Sequence, residues 1–196
     1  MNFNKYILVV AGEPNSVFLE IFFKTIRKLK IKNHLILIAS LKLIKLQMKK
    51  LKINKKINEI NYKNLFKNKL KANYLNVLNI NYNAKVAFGN NSSKSNKYVE
   101  SCFNQAFKIL KTKKINKLIN GPIVKKTFLK KKYLGITEYV SEKFNINESA
   151  MLIYNKNLSV CPLTTHLPLK NVTKNINKKN INKKVKLIDN FYKTMF

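Results

Sequence analysis

The chain is poor in several residue types that carry common functions. It has four glycines, two cysteines, two histidines, one arginine and no tryptophan among 196 residues. The glycines stand too far apart for a G-x-G-x-x-G loop or a P-loop, which excludes a Rossmann dinucleotide site within this chain. Cys102 and Cys161 lack the spacing of a zinc or redox pair, so we expect two buried, reduced thiols.

Acidic residues are also scarce, and the charge balance is extreme. The 40 basic residues against 8 acids give a formal net charge of +32. This charge is compatible with a lysine-rich nucleic-acid-binding module, which we keep as an alternative function of another class. Only Arg27 is an arginine, whereas nucleic-acid interfaces favour the bidentate guanidinium. Solvated surface lysine is therefore the simpler interpretation, and we expect no specific nucleic-acid partner.

The apolar residues are sufficient for a core but not for a membrane span. Hydrophobic residues make up 45% of the chain. The apolar run at residues 6–11 is far too short to cross a bilayer, and no signal-peptide pattern surrounds it. We therefore expect a soluble, cytoplasmic protein without a membrane partner.

Short apolar runs and amphipathic segments alternate at the start of the chain. Residues 6–10 and 35–39 are continuous apolar runs, and each predicts a buried parallel strand. Residues 17–29 have helical spacing, and Ser40 is a suitable cap for a helix that runs to about residue 51. This order of strands and helices predicts an α/β layer fold.

The remaining elements follow from the same patterns. We expect, in order, an irregular stretch at residues 52–83 with one strand at 74–80, a loop at 90–97, a helix at 98–110, a short strand at 118–119, helical segments at 125–131 and 137–144, and a last helix at 185–195.

A hairpin is predicted ahead of His166. Residues 151–154 and 158–161 are apolar and flank a turn that contains two asparagines, which suit positive φ. His166 would then close the second strand and present its imidazole to a cleft. From the residues alone, a metal or substrate ligand and a structural histidine bonded to a backbone carbonyl both remain open.

Three ordered segments resemble one known family. Residues 164–169 read TTHLPL, residues 11–20 read AGEPNSVFLE, and residues 120–126 read NGPIVKK, followed by GITEY at 135–139. They are similar to the TTHxPL, GDPAGIGPE, TGPINK and GHTEF segments of the 4-hydroxythreonine-4-phosphate dehydrogenases of pyridoxal phosphate synthesis. The resemblance runs from about Tyr6 to the last residue.

The resemblance implies an architecture. The family has an α/β fold like that of isocitrate and isopropylmalate dehydrogenases, with two lobes around a cleft. Residues 1–120 would belong to the first lobe and residues 121–196 to part of the second. Family members continue beyond this length, so the sequence resembles an N-terminal fragment of roughly three-fifths, with its C-terminal part missing. The resemblance also implies a homodimer whose site draws on both subunits.

The resemblance further implies an activity. The family uses NAD to oxidise 4-phosphohydroxy-L-threonine, whose product loses carbon dioxide to give 3-amino-2-oxopropyl phosphate. A divalent metal (Zn, Mg or Co) acts as a Lewis acid on the phosphorylated substrate. His166 matches the first of three metal-binding histidines, and Thr137 matches a substrate-contacting threonine. Thr137 also suits a helix N-cap, and both roles are compatible. We expect the 196-residue chain alone to be inactive.

Several positions depart from the family pattern. Ile136 stands where the family has histidine, Val124 replaces the asparagine of GPINK, and residues 15–18 read NSVF in place of the Gly-rich run. These departures favour, as the nearest alternative, a dehydrogenase of another phosphorylated hydroxy acid. Lys125 is retained, and it is either an anion contact or a solvated lysine.

Overall fold

The structure is a computed structural model that describes residues 5–29, 31, 34–67, 70–90, 93–129 and 132–195. The chain forms two compact units, residues 1–128 and residues 129–196. The lobe boundary expected after residue 120 stays a prediction. Within the described ranges, no helix is long and apolar enough to cross a membrane.

A parallel five-stranded sheet organises the first unit. The strands are β1 (Tyr6–Val10), β2 (His34–Ala39), β3 (Ile57–Ile60), β4 (Leu75–Asn79) and β5 (Leu118–Asn120), in the spatial order β3-β4-β2-β1-β5. All four neighbouring pairs are parallel, and Leu8 of β1 is in register with Ile36 of β2 and Leu118 of β5. The predicted strands β1, β2, β4 and β5 are therefore confirmed to within one or two residues.

Helices cover both faces of this sheet. They are α1 (Phe18–Lys28), α2 (Leu41–Lys50) and α3 (Asn96–Leu110), with the short α4 (Lys125–Phe128) after β5. Val9, Leu37 and Val77 point towards α1 and α2, and α3 packs against β1 and β2. Leu8 and Ile36, which alternate with Val9 and Leu37 along their strands, are also fully buried. Burial on both faces explains why β1 and β2 are continuous apolar runs.

Ser40 begins α2 as predicted. Its hydroxyl accepts a hydrogen bond from the Leu43 amide at 3.3 Å, and its own amide donates to the buried Tyr98 hydroxyl at 3.0 Å. The first bond satisfies one of the amides that a helix start leaves unpaired. The second joins the carboxyl end of β2 to α3. Burial raises the pKa of Tyr98 well above its usual 10.0, so the hydroxyl stays neutral.

The second unit is built from helices and irregular chain. Its helices are α5 (Ile136–Lys143), α6 (Leu169–Asn175) and α7 (Lys178–Met195). Tyr192 of α7 donates a hydrogen bond to Ser159 at 3.0 Å, and this contact fixes α7 against the turn at residues 155–159.

Several elements differ from the sequence predictions. The polar stretch at 52–83 contains β3, whose residues alternate too weakly to show a strand. The expected loop at 90–97 includes a 3-10 turn at Ser93–Ser95 and the first residues of α3. The helix expected at 125–131 is described only over Lys125–Phe128, and residues 130–131 lie outside the described part. Helix α6 was not predicted, and α7 begins seven residues earlier than expected.

The predicted hairpin is wrong in extent. A single antiparallel bridge joins Ile153 and Val160, with N–O distances of 2.8 and 2.9 Å, instead of two strands. Both side chains are exposed, so the alternation that suggested strands buries no apolar face. His166 consequently closes no strand. It lies in an irregular segment and has a φ of 58°.

The two thiols differ in environment. Cys102 is fully buried in α3, whereas Cys161 is only partly buried, which corrects the expectation of two buried thiols. Both cysteines are free. Burial raises the pKa of the Cys102 thiol from 9.0 to about 12.

We predict that a thiol reagent at pH 8 modifies Cys161 in the native protein and Cys102 only after unfolding. A rise of the pKa to about 12 leaves roughly 10³-fold less thiolate on Cys102 at this pH. Because the folded pKa is raised, this thiol stabilises the fold fully below pH 9 and progressively less as the pH rises towards 12. Timed labelling followed by peptide mass spectrometry, with Cys161→Ser as the control, measures this. Equal labelling rates would contradict it.

Candidate functional site

The first unit brings two of the three motif segments together at one edge of the sheet. The strands are parallel, so all their carboxyl ends lie at the same edge, and β1 and β5 are neighbours. The chain adds β2, β3 and β4 on one side of β1 and then crosses to place β5 on the other side. In open α/β sheets such a reversal of strand order marks the crevice where ligands bind. The loops after β1 and β5 carry the AGEP and NGP segments.

Two glycines allow these loops to touch. Gly12 has a φ of 71°, and a Cβ placed on it would lie 2.3 Å from the Pro122 carbonyl oxygen. A Cβ on Gly121 would lie 2.3 Å from the Ala11 carbonyl oxygen. The Gly121 amide donates to the Val10 carbonyl at 2.7 Å, and the Glu13 amide donates to the Pro122 carbonyl at 2.8 Å. Only glycine permits this approach of two backbones.

The Glu13 carboxylate is buried behind the loop after β1. Its side chain is part of a residue only 4% exposed, and Oε2 accepts a hydrogen bond from the Ser95 hydroxyl at 2.6 Å. Ser95 precedes α3, so this bond links the loop to the start of that helix. Charge-assisted hydrogen bonds of this kind are stronger than neutral ones. This hydrogen bond therefore holds the loop after β1 against the start of α3.

Asn15 and Gln47 connect the same loop to residues 87–90. The Asn15 side chain accepts from the Gly89 amide and donates to the Asn90 carbonyl, both at 3.1 Å. The buried Gln47 side chain donates to the Pro14 carbonyl at 3.1 Å and to the Ala87 carbonyl at 2.8 Å. Sequence reasoning missed both residues. Gln47 could have been found from the sequence, because it is a polar residue on the otherwise apolar stripe of α2.

In the second unit, Gly135 lies against His166. A Cβ placed on Gly135 would lie 3.5 Å from Nε2 of His166 and 3.0 Å from Oε2 of Glu138. Both side chains thus reach the same side of Gly135. The GITEY and TTHLPL segments, which are separated in the sequence, therefore meet in this unit. The predicted ligand roles of His166 and Thr137 stay predictions.

Thr137 is exposed and is the second residue of α5. The cap of this helix is Gly135, with extended backbone and no capping side chain, so the N-cap role expected for Thr137 is wrong. No hydrogen bond joins its hydroxyl to another residue in the described ranges. The hydroxyl is therefore available to a ligand.

The donor chemistry beside Gly135 suits a divalent metal but does not complete a site. Imidazole and carboxylate are ordinary ligands of zinc and cobalt. Among the described residues, however, no three histidine, cysteine or acidic side chains converge. His34 is no substitute, because it begins β2 at the edge of the sheet opposite the carboxyl ends. The donor atoms present therefore fit only part of the ligand set that a metal needs.

Comparison with known proteins decides the family. The sequence model described as "Pyridoxal phosphate biosynthetic protein PdxA" matches residues 30–196. The chain belongs to the PdxA family. A 4-hydroxythreonine-4-phosphate dehydrogenase of Sulfurihydrogenibium sp. is 31% identical over 193 residues, which are 97% of this chain and 58% of that protein. Another, from Aquifex aeolicus, is 43% identical over 56 residues, which are 29% of this chain and 18% of that protein.

A solved PdxA-family structure shares the fold. The 4-hydroxythreonine-4-phosphate dehydrogenase of Klebsiella pneumoniae superposes with a TM-score of 0.83 at 17% identity, over 97% of this chain and 59% of that chain. The chain thus spans about three-fifths of the length of these two relatives. The predicted family and the parallel α/β fold class are confirmed, and the chain is part of a dehydrogenase family of pyridoxal phosphate biosynthesis.

We predict that Gly121→Ala destabilises the first unit by about 3 kcal/mol or more. The new methyl group would meet two backbone atoms of Ala11, at 2.3 and 2.7 Å, which cannot move without shifting β1. Gly89→Ala is the matched control, because its methyl group would meet only side-chain atoms of Asn15 and Val86 at 3.1 and 3.3 Å. Urea unfolding followed by circular dichroism measures both, and equal losses would refute the backbone contact.

Proposed function

We propose that this chain forms the N-terminal part of an NAD-dependent 4-hydroxythreonine-4-phosphate dehydrogenase. The substrate would be 4-phosphohydroxy-L-threonine and the product, after decarboxylation, 3-amino-2-oxopropyl phosphate. The observation that carries the proposal is the convergence of His166 with the GITEY segment beside Gly135. The relatives named 4-hydroxythreonine-4-phosphate dehydrogenase support the same reaction.

Each site residue has a separate task in this proposal. His166 would present its exposed imidazole to a divalent metal (Zn, Mg or Co), and Thr137 would donate its free hydroxyl to a substrate oxygen. Lys125, exposed at the start of α4 behind the Gly121–Pro122 turn, would contribute positive charge for the phosphate. When bound, NAD supplies the hydride acceptor and the metal supplies a Lewis acid.

The proposal includes a homodimer in the cytoplasm. This chain provides His166 as one of three expected histidine ligands, so the remaining ligands must come from further chain, from a second subunit or from both. A site shared between subunits would provide the remaining metal ligands. The two lobes around a cleft belong to the same proposal.

We predict that His166→Ala removes most activity and weakens metal binding by at least 10-fold. Loss of one of three ligands leaves the metal poorly held. The assay follows NADH formation from 4-phosphohydroxy-L-threonine by the longest gene product that contains these residues, with isothermal titration of Zn²⁺ or Co²⁺. His34→Ala is the matched control, since His34 lies at the opposite sheet edge and should leave both values unchanged. Unchanged metal affinity in His166→Ala would disprove the ligand assignment.

We predict that Thr137→Ala acts mainly on the Michaelis constant of the substrate. It removes one hydrogen bond, worth about 0.5–1.5 kcal/mol, or about 1.5–3 kcal/mol if the acceptor is charged. The expected increase in KM is therefore roughly 2- to 160-fold, with little change in metal affinity. Steady-state kinetics at saturating NAD measures it. A fall in kcat with KM unchanged would contradict a binding role.

The variant Ile136→His distinguishes the proposed substrate from another phosphorylated hydroxy acid. Ile136 is partly buried beside Thr137, where the family has histidine. If 4-phosphohydroxy-L-threonine is the native substrate, we expect the restored imidazole to add a polar contact and raise its turnover. A decrease in turnover would instead favour a different native substrate.

A further inference from the structure

Glu138 differs from the other acids of this lysine-rich chain. Glu20, Glu142, Glu148 and Asp189 pair with lysines on the surface, and Glu13 accepts from Ser95. The Oε2 atom of Glu138 is buried and has no hydrogen-bond partner among the described residues. An unsatisfied buried carboxylate oxygen is costly, because it has lost its water without gaining a donor.

The position of Glu138 in its helix does not explain this burial. Glu138 is the third residue of α5, where a glutamate ordinarily turns back to accept from the amide of the N-cap residue. The cap here is Gly135, and the buried Oε2 accepts no such bond. The side chain instead passes the face of Gly135, 3.0 Å from the point where a Cβ would stand. The same point lies 3.5 Å from Nε2 of His166.

Gly135 and the backbone of His166 together create this arrangement. A side chain at 135 would crowd both the carboxylate and the imidazole, since its Cβ would lie within 3.5 Å of each. His166 has a φ of 58°, a left-handed conformation that is uncommon outside glycine. Its Nε2 and the unpartnered Oε2 of Glu138 both approach the same point beside Gly135.

We propose that Glu138 is a positioning residue for His166. Nε2–H of the imidazole donates to Oε2 of Glu138 after a small rotation of the two side chains, and this bond leaves the Nδ1 lone pair free for a metal. Metal-binding histidines commonly donate their other ring N–H to a carboxylate, which fixes tautomer and orientation. The inference rests on the proposed metal role of His166.

The test exploits the presence of only two histidines, because His34 serves as an internal reference in spectra of ring-¹⁵N-labelled protein. We expect the 196-residue chain without metal to show a slowly exchanging Nε2–H proton on His166. Glu138→Gln should keep this signal, because an amide oxygen still accepts the bond, and Glu138→Ala should lose it. Glu142→Ala, an exposed site on the same helix, controls for helix stability and should leave the signal intact.

Co²⁺ titration of the same variants, made in the longest gene product that contains these residues, provides the second measurement. We expect Glu138→Ala to weaken binding at His166 by 10- to 100-fold and Glu138→Gln by less than 3-fold. Equal loss in both variants would overturn the proposal, since charge or direct ligation would then matter rather than the hydrogen bond. An unchanged N–H signal in Glu138→Ala would overturn it too. If Glu138→Ala loses the N–H signal but the wild-type longest gene product binds no Co²⁺, the metal assignment fails and the hydrogen bond that positions His166 stands.

Discussion

The approach of two backbones at Gly12 and Gly121 is the constraint on which the first unit depends. The Gly121 amide donates to Val10, the last residue of β1, and the Glu13 amide in the loop after β1 donates to the Pro122 carbonyl. This contact lies at the reversal of strand order and holds two motif segments together. The buried Glu13 and the Asn15 and Gln47 bonds then hold the loop after β1 in place.

The two units achieve order by different means. In the first unit, the apolar strands are buried on both faces. Hydrophobic burial therefore stabilises the sheet, and the sheet anchors the loops at its carboxyl ends. In the second, large apolar side chains such as Leu158 and Leu169 are 72% and 87% exposed. Its order relies more on single polar contacts, such as Tyr192 with Ser159. Glu138 and His166, which both approach Gly135, lie in this second unit.

The sequence predicted what depends on local pattern and missed what depends on distant partners. The sequence predicted β1, β2 and the cap at Ser40 correctly, because apolar runs and capping residues act through neighbouring residues. β3 was missed because its INEI stretch becomes a strand only by pairing with β4. The hairpin failed because alternation at 151–161 has no sheet to pack against. His166 was found through its motif, but its left-handed backbone and its proximity to Gly135 and Glu138 arise only in the fold.

The departures from the family pattern at residues 15–18 lie in the first unit, and Ile136 lies in the second. Replacement of the Gly-rich run after Pro14 reduces the backbone freedom of that loop, and Asn15 fixes the loop further with two hydrogen bonds to residues 89 and 90. Ile136 stands next to Thr137 where the family has an imidazole, whereas His166 and Glu138 each approach Gly135. Ile136 and Glu138 are two residues apart in α5, so they lie on different sides of the helix. A substitution at 136 can therefore change one side of α5 while the side that carries Glu138 is kept.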